Sequence, residues 1–127
     1  MAKIYLNLGC GPHKTVSTPE IQWVNIDKDE RVNPDLLLDL EEGKLPYDNN
    51  TIDFVWASHV LEHLHETEQL VQLMEELWRV CRPGAKIDIH SPYGLSEAGI
   101  ADPTHHLHLC PWTFKYFDKT SVYFIYD

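Results

Sequence analysis

Leu6-Asn7-Leu8-Gly9-Cys10-Gly11 is the stretch of sequence that decides the fold. A short apolar run over residues 4–8 stops here at two glycines that one residue separates. A second apolar run covers residues 23–26, and Asp27 follows it directly. The distance from Gly9 to Asp27 is close to the roughly 20 residues that separate glycine turn and acid in nucleotide-binding βαβ units. The pattern predicts two strands that bring the glycines and the acid to one edge of a sheet.

These residue types indicate a ligand site as well as a fold. Glycine lets a ligand approach the backbone closely, and a carboxylate at a strand end can accept hydrogen bonds from two ribose hydroxyls. The residues therefore predict a site for an adenosine-containing cofactor. The plainer alternatives are a tight strand-to-helix turn at Gly9 and Gly11, and a solvated helix cap at Asp27.

Composition limits the partners that the chain is expected to bind. The chain has 127 residues, and its net charge of −10 disfavours a polyphosphate partner such as nucleic acid. No apolar run approaches the roughly 18 residues of a membrane span. The strand pattern begins next to Met1, so we expect no signal peptide, no membrane association and a cytoplasmic location. Three widely spaced cysteines without a CxxC pair indicate reduced thiols.

Strand and helix patterns alternate along the chain, which predicts one α/β domain over residues 1–127. Strands are expected at residues 4–8, 23–26, 36–38, 52–57, 85–89 and 122–126. The clearest helix is expected at residues 67–81. Its apolar stripe, at spacings of three and four, comprises Leu70, Val71, Met74, Leu77, Trp78 and Cys81. Shorter helices are expected at residues 112–117 and, at most, within 12–22.

One connection departs from the usual α/β pattern. Residues 28–35, with a turn signal at Asn33-Pro34, form a link shorter than the dozen or so residues of a normal parallel crossover. If the second and third strands are parallel neighbours, this link has to be a tight turn or a 3₁₀ segment.

Five sequence blocks occur together in one order. They are Leu6-Asn7-Leu8-Gly9-Cys10-Gly11, Val24-Asn25-Ile26-Asp27, Asp39-Leu40 with Leu45-Pro46-Tyr47, residues 53–64, and Trp78-Arg79-Val80-Cys81-Arg82-Pro83-Gly84. In this order and spacing the chain resembles the class I S-adenosylmethionine-dependent methyltransferases of the methyltransferase domain type 11 kind. The resemblance implies a Rossmann-like three-layer α/β sandwich with a mainly parallel sheet. It also implies transfer of a methyl group from S-adenosylmethionine by in-line displacement.

The chain departs from the family pattern in three respects. Asn7 stands where the glycine motif usually has an acid, and a third glycine is missing after Gly11. The missing glycine disfavours a dinucleotide, whose pyrophosphate uses that helix N-terminus. Most members also have two further C-terminal strands, so the sheet is expected to be truncated there. A minimal form, a fragment, a homo-oligomer and a partner chain that completes the sheet all remain open.

The resemblance carries over to individual residues. It implies cofactor contacts from Asn7, Gly9, Cys10, Gly11, Asp27, Asp39, Leu40, Ser58 and His59. Asp39 would accept from the adenine amine, and the Leu40 backbone N–H would face a ring nitrogen. The catalytic candidates are His59, as a base or a packing group, and Asp102 with His105, which present the acceptor or form a plain surface loop. The expected acceptor is a small molecule or modest polar group.

Two other functions compete with this interpretation. The short C-terminal end and Asn7 are compatible with a non-catalytic S-adenosylmethionine-binding scaffold that activates a partner. His59-Val60-Leu61-Glu62-His63 matches H-x-x-E-H, a zinc-peptidase pattern with ligands at helical spacing. Further ligands would come from His65 and from the cluster His105, His106 and His108. The glycine and acid blocks would then go unexplained, so no metal is expected from the sequence.

Overall fold

A five-stranded parallel sheet organises the computed structural model, which describes residues 2–118. The strands are β1 (Lys3–Leu8), β2 (Ile21–Asp27), β3 (Leu36–Leu37), β4 (Ile52–Ser58) and β5 (Cys81–His90). The α-helices are α1 (Thr67–Val80) and α2 (Glu97–Ala101), and 3₁₀ helices lie at Glu30–Val32, Leu40–Glu42, Leu61–His63 and Pro111–Phe117. The strand order β3-β2-β1-β4-β5, with every pairing parallel, confirms the predicted Rossmann-like α/β fold.

The strand order reverses at β1, which lies between β2 and β4. Leu8 at the end of β1 pairs with Ile26 on one side and Ala57 on the other. The residues that follow these three strands therefore meet at one edge of the sheet. This is the topological switch point, where open α/β sheets bind their ligands.

Helix α1 covers one face of the sheet. The strands present alternate residues to it, among them Leu6, Leu8, Val55 and Ala57, all fully buried. The helix contributes buried residues at spacings of three, four and three, namely Leu70, Leu73, Leu77 and Val80. The prediction that Trp78 belongs to the buried stripe of the helix was wrong, because Trp78 is 76% exposed. Leu73 belongs to the buried stripe instead. The stripe that faces the sheet is narrow, and position 78 lies outside it.

The opposite face of the sheet carries aromatic rings and a coil connection. The ring centroid of Tyr5 is 5.1 Å from those of both Trp23 and Phe54. Towards the carboxyl end, Asn25 accepts hydrogen bonds from Thr15 N and Oγ1, at 2.8 and 2.9 Å. The connection over residues 9–20 contains no helix, so the third layer is coil here.

The short link from β2 to β3 is a 3₁₀ turn, as predicted. Asp29 caps Glu30–Val32 by accepting from Arg31 N, and Asn33 ends the turn with φ +52°. Asn is among the few residues other than glycine that enter this left-handed region readily. Asp27 then pairs with Leu37 in the parallel register.

The remaining expectations have mixed outcomes. The helix ends at Val80 and β5 begins directly at Cys81, with a change of register against β4 between Ile52 and Phe54. The predicted helix near 112–117 is the 3₁₀ helix Pro111–Phe117. The strand predicted at 122–126 lies outside the described residues. Within residues 2–118, no helix is long and apolar enough to cross a bilayer.

Candidate functional site

A pocket of about 220 Å³ lies at the carboxyl edge of the sheet and is called here the carboxyl-edge pocket. It draws its lining from the segments that follow β1, β2, β3 and β4. Five residues predicted from the sequence share it, namely Gly9, Asp27, Asp39, Leu40 and His59. The same lining includes Lys28, Glu41, Val60 and His63, which the sequence analysis did not assign to the cofactor. The fold thus gathers residues that lie up to 55 positions apart in one cavity.

Gly9 has two separate reasons to be glycine. Its φ is +60°, a conformation that costs other residues about 1–2 kcal/mol. A Cβ at this position would also lie 2.3 Å from Val60 Cγ2. Gly11 shares the positive φ, at +52°, but a Cβ there would meet nothing within 4 Å. The close approach of two loops therefore occurs at Gly9, at the floor of the pocket.

The Asp27 carboxylate joins the first two strand ends. Its Oδ2 accepts from Gly11 N and its Oδ1 accepts from Asp29 N, both at 2.9 Å. An ionised carboxylate has about four acceptor positions, so two remain for a ligand. Asp27 therefore holds the glycine turn in place and still presents acceptor capacity to the pocket.

Asp39 occupies the equivalent place after β3. Its Oδ1 accepts from Glu41 N at 3.0 Å and caps the 3₁₀ helix Leu40–Glu42. The second oxygen, Oδ2, adds further acceptor positions. Leu40 is nearly buried beside it and supplies an apolar wall. An acceptor next to an apolar surface suits a flat heteroaromatic ring with an amino group.

His59 is strained at the point where β4 ends. Its φ is +56°, which for a non-glycine residue is uncommon and often marks a functional site. Its backbone N donates to His90 O at 2.7 Å, which fixes the turn. The imidazole is 66% exposed at the pocket. Ser58, the residue before it, pairs with His90 in the sheet and is absent from the lining among residues 2–118.

Among residues 2–118, the structure does not bring the Asn7 or Cys10 side chains into the pocket lining. Strand alternation places Asn7 on the face opposite α1, where its Nδ2 donates to Asn25 Oδ1 at 3.0 Å and His13 O at 3.2 Å. Cys10 is buried, and this burial raises the pKa of its thiol. Both residues therefore lie next to the glycine turn without lining the pocket.

Asp102 and His105 meet each other outside the pocket. Asp102 Oδ1 accepts from Thr104 N and Oγ1, and these bonds lower the pKa of the Asp102 carboxyl. His105 Nε2 is 3.5 Å from Asp102 Oδ2, and the His105 side chain is only 8% exposed. The His105 ring packs edge-on against His63, with centroids 4.7 Å apart. His63 lines the pocket, so the two candidates reach its wall through that ring.

Comparisons with known proteins agree with this geometry. A family model described as "Methyltransferase domain" matches residues 6–89. A SAM-dependent methyltransferase from Archaeoglobus fulgidus superposes with a TM-score of 0.74 at 24% identity, over 91% of this chain and 58% of that one. At this identity the likeness establishes the fold. No curated protein sequence matches the chain.

Two further solved structures show weaker likeness. For a SAM-dependent methyltransferase from Aquifex aeolicus the TM-score is 0.49 at 26% identity, over 64% of this chain and 52% of that one. For the PH0226 protein from Pyrococcus horikoshii OT3 the TM-score is 0.51 at 20% identity, over 68% and 48% of the two chains. The chain therefore spans about half to three fifths of the length of these three structures.

Proposed function

The chain belongs to the methyltransferase domain family, and on that premise we propose that its carboxyl-edge pocket binds S-adenosylmethionine for methyl transfer. The observation that carries the proposal is the meeting of Gly9, Asp27, Asp39 and His59 at the switch point of the sheet. In the proposed reaction the acceptor's lone pair forms a bond to the methyl carbon, while the carbon–sulfur bond breaks. The products are the methylated acceptor and S-adenosylhomocysteine, and an acceptor proton goes to water or a base.

The charges of the lining favour this cofactor over a dinucleotide. Asp27, Asp39 and Glu41 contribute three carboxylates against the single ammonium group of Lys28. Such a surface attracts a sulfonium cation and repels a pyrophosphate. The whole chain, with its net charge of −10, adds to this long-range preference.

The proposed contacts follow from where each acceptor lies. Asp27 would hold the ribose hydroxyls with the acceptor positions that Gly11 N and Asp29 N leave open. Asp39 would accept from the adenine amine, with the Leu40 N–H facing a ring nitrogen. The pocket volume of about 220 Å³ is below the roughly 300–1,000 Å³ of typical ligand sites. The methionine arm would therefore extend out of the cavity, over Gly9, Cys10 and Gly11.

Catalysis would depend mainly on alignment. A sulfonium carries its own leaving group, so holding acceptor, methyl carbon and sulfur in line supplies much of the rate. We propose that Ser58 and His59 lie between the cofactor and the acceptor. Asp102 and His105 would help to position the acceptor through the ring of His63, which lines the pocket. The proposed acceptor is a small molecule or modest polar group, because the acidic chain disfavours nucleic acid.

Calorimetry with S-adenosylhomocysteine on the wild type and the Asp27→Ala variant tests the cofactor site. Loss of two hydrogen bonds to a charged group, each about 1.5–3 kcal/mol, should weaken binding by roughly 100-fold or more. Asp27→Asn, which keeps one acceptor oxygen, should lie between. Asp29→Ala is the matched control, because Asp29 pairs with Arg31 at the surface and does not line the pocket. Equal affinities in the wild type and Asp27→Ala would refute the proposed site.

A turnover assay on a panel of small-molecule acceptors separates the enzyme from a scaffold. Labelled methyl groups should appear in at least one acceptor, and His59→Ala should slow transfer by a larger factor than it weakens S-adenosylhomocysteine binding. Tight binding without any transfer, together with a stable partner chain, would instead support the non-catalytic cofactor-binding module.

A further inference from the structure

Glu62 is a buried carboxylate without a hydrogen-bond partner. Its side chain is 3% exposed, and within the described part of the chain neither Oε1 nor Oε2 has a hydrogen bond. His59 Nδ1 lies 3.6 Å from Oε2, beyond hydrogen-bonding distance. Burial of an unpaired carboxylate is costly, and a neutral carboxylic acid here would leave its own hydroxyl without an acceptor. No described side chain donates a hydrogen bond to either oxygen, so a metal cation beside this carboxylate would offset the cost of its burial.

Two imidazoles complete a cluster around this carboxylate. One donor atom each of Glu62, His63 and His105 lies within 4.8 Å of the other two. His63 follows Glu62 in the 3₁₀ helix Leu61–His63, and His105 comes from the segment after α2. The two segments are joined by hydrogen bonds from the backbone N of His106 and Leu107 to Glu62 O, at 2.8 and 3.0 Å. The cluster is thus built on a paired backbone.

Both rings form their backbone hydrogen bond through Nδ1, and the Nε2 of His105 lies 3.5 Å from Asp102 Oδ2. His63 Nδ1 lies 3.0 Å from Thr104 O, and His105 Nδ1 lies 3.2 Å from Gly99 O. A carbonyl oxygen only accepts, so Nδ1 carries the hydrogen in each ring and Nε2 keeps its lone pair. A ring that donates its other N–H to a backbone carbonyl is typical of metal-binding histidines.

We propose that Glu62, His63 and His105 bind one divalent transition metal ion, with His63 and His105 coordinating through Nε2. Two imidazoles and one carboxylate suit Zn²⁺ and similar ions, whereas Mg²⁺ and Ca²⁺ prefer all-oxygen sites. This set differs from the one that H-x-x-E-H suggests. That pattern would use His59, whose ring is 66% exposed, whereas the fold supplies the nearly buried His105 from a distant segment.

The site adjoins the carboxyl-edge pocket, because His63 belongs to both. Three protein ligands leave a coordination position for water or substrate. If the proposed function holds, an oxygen or nitrogen of the methyl acceptor would occupy this coordination position; this step rests on the proposed function. Metal binding itself does not require the cofactor, so a failure of one proposal leaves the other separately measurable.

Calorimetry of the full 127-residue chain with Zn²⁺, backed by elemental analysis after dialysis, tests the site. We expect one ion per chain and no displacement by a large excess of Mg²⁺. His63→Ala and His105→Ala should each weaken Zn²⁺ binding by about 100-fold or more, since loss of even an outer-shell partner costs 10–100-fold. His108→Ala should leave the affinity unchanged, because His108 is exposed on the same segment and outside the cluster.

Glu62→Gln tests the same site if a histidine variant fails to fold. An amide is cheaper to bury than an unpaired carboxylate, so without metal this variant should be at least as stable as the wild type. Zn²⁺ should raise the Tm of the wild type and not that of Glu62→Gln. Absence of bound Zn²⁺, or Zn²⁺ binding of equal affinity in the wild type and all three ligand variants, would overturn the proposal.

Discussion

The α1 side of the sheet and the carboxyl edge follow different rules. Between α1 and the sheet, Leu6, Val55 and Leu77 are fully buried. At the edge, His59 has a positive φ and Glu62 is buried without a hydrogen-bond partner. Stability alone favours the first arrangement and penalises the second. His59 and Glu62 combine two such penalties beside the pocket, which indicates that this edge is kept for ligands.

The largest effect should follow from a cavity on the α1 side. Leu77→Ala should lower the free energy of unfolding by about 3–5 kcal/mol, because Leu77 is fully buried and its neighbours relax only in part. Chemical denaturation measures this change. Glu75→Ala, on the exposed side of the same helix, should change stability by less than about 0.5 kcal/mol. A small loss in Leu77→Ala would mean that α1 is not the main support of the sheet.

Adding a methyl group at Gly9 should lower stability less than Leu77→Ala but should impair cofactor binding more. Gly9→Ala combines φ +60° with a Cβ 2.3 Å from Val60 Cγ2, so we expect about 2–3 kcal/mol of destabilisation. S-adenosylhomocysteine binding, measured by calorimetry, should fall below detection. In the double variant Gly9→Ala/Val60→Ala the 2.3 Å contact is lost while the Cβ of residue 60 stays 2.9 Å away, so only part of the stability should return.

Gly11→Ala separates the backbone effect from the clash. Its φ is +52°, yet a Cβ there meets open space, so only the conformational cost of about 1–2 kcal/mol should appear. Equal losses of stability in Gly9→Ala and Gly11→Ala would show that contact with Val60 does not matter.

The regular parts of the molecule could be predicted from the sequence. Apolar runs ending at Gly9 and Asp27 locate β1 and β2, and the three-and-four spacing locates α1. Even the short link to β3 was restricted to a turn or 3₁₀ segment by its length alone. The family resemblance then placed Asp39 and His59 at the same edge, and the structure brings both into one pocket.

What the sequence could not supply is pairing between distant segments. Glu62 and His105 meet because residues 106 and 107 donate to Glu62 O, and no local pattern contains that information. The orientation of Asn7 was missed for a related reason. Strand alternation fixes which residues share a face, but the face that the ligand uses depends on the sheet order. The exposure of Trp78 likewise depends on how α1 is rotated against the sheet.

The smallest effect should come from the ion pair that ties α1 to the segment before β4. Glu76 Oε1 lies 2.6 Å from the Arg79 guanidinium and also accepts from Leu45 N at 2.9 Å. Arg79 in turn donates to Leu45 O and Asn49 Oδ1. The hydrogen bond from Arg79 is the main cause that holds the pKa of Glu76 below its usual value of 4.5. Glu76→Gln should lower the free energy of unfolding at pH 7 by about 1 kcal/mol.

The pH dependence of this difference identifies its origin. A carboxyl whose pKa is lower in the folded state stabilises the fold above its unfolded pKa, and this contribution disappears as the pH falls through the folded value. The difference in unfolding free energy between wild type and Glu76→Gln should therefore be full at neutral pH and shrink as the pH falls below 4.5, in denaturation curves measured across that transition. Glu75→Gln, the exposed neighbour, should show no such closing. A difference that stays constant with pH would assign the effect to side-chain packing and not to the ionised carboxylate of Glu76.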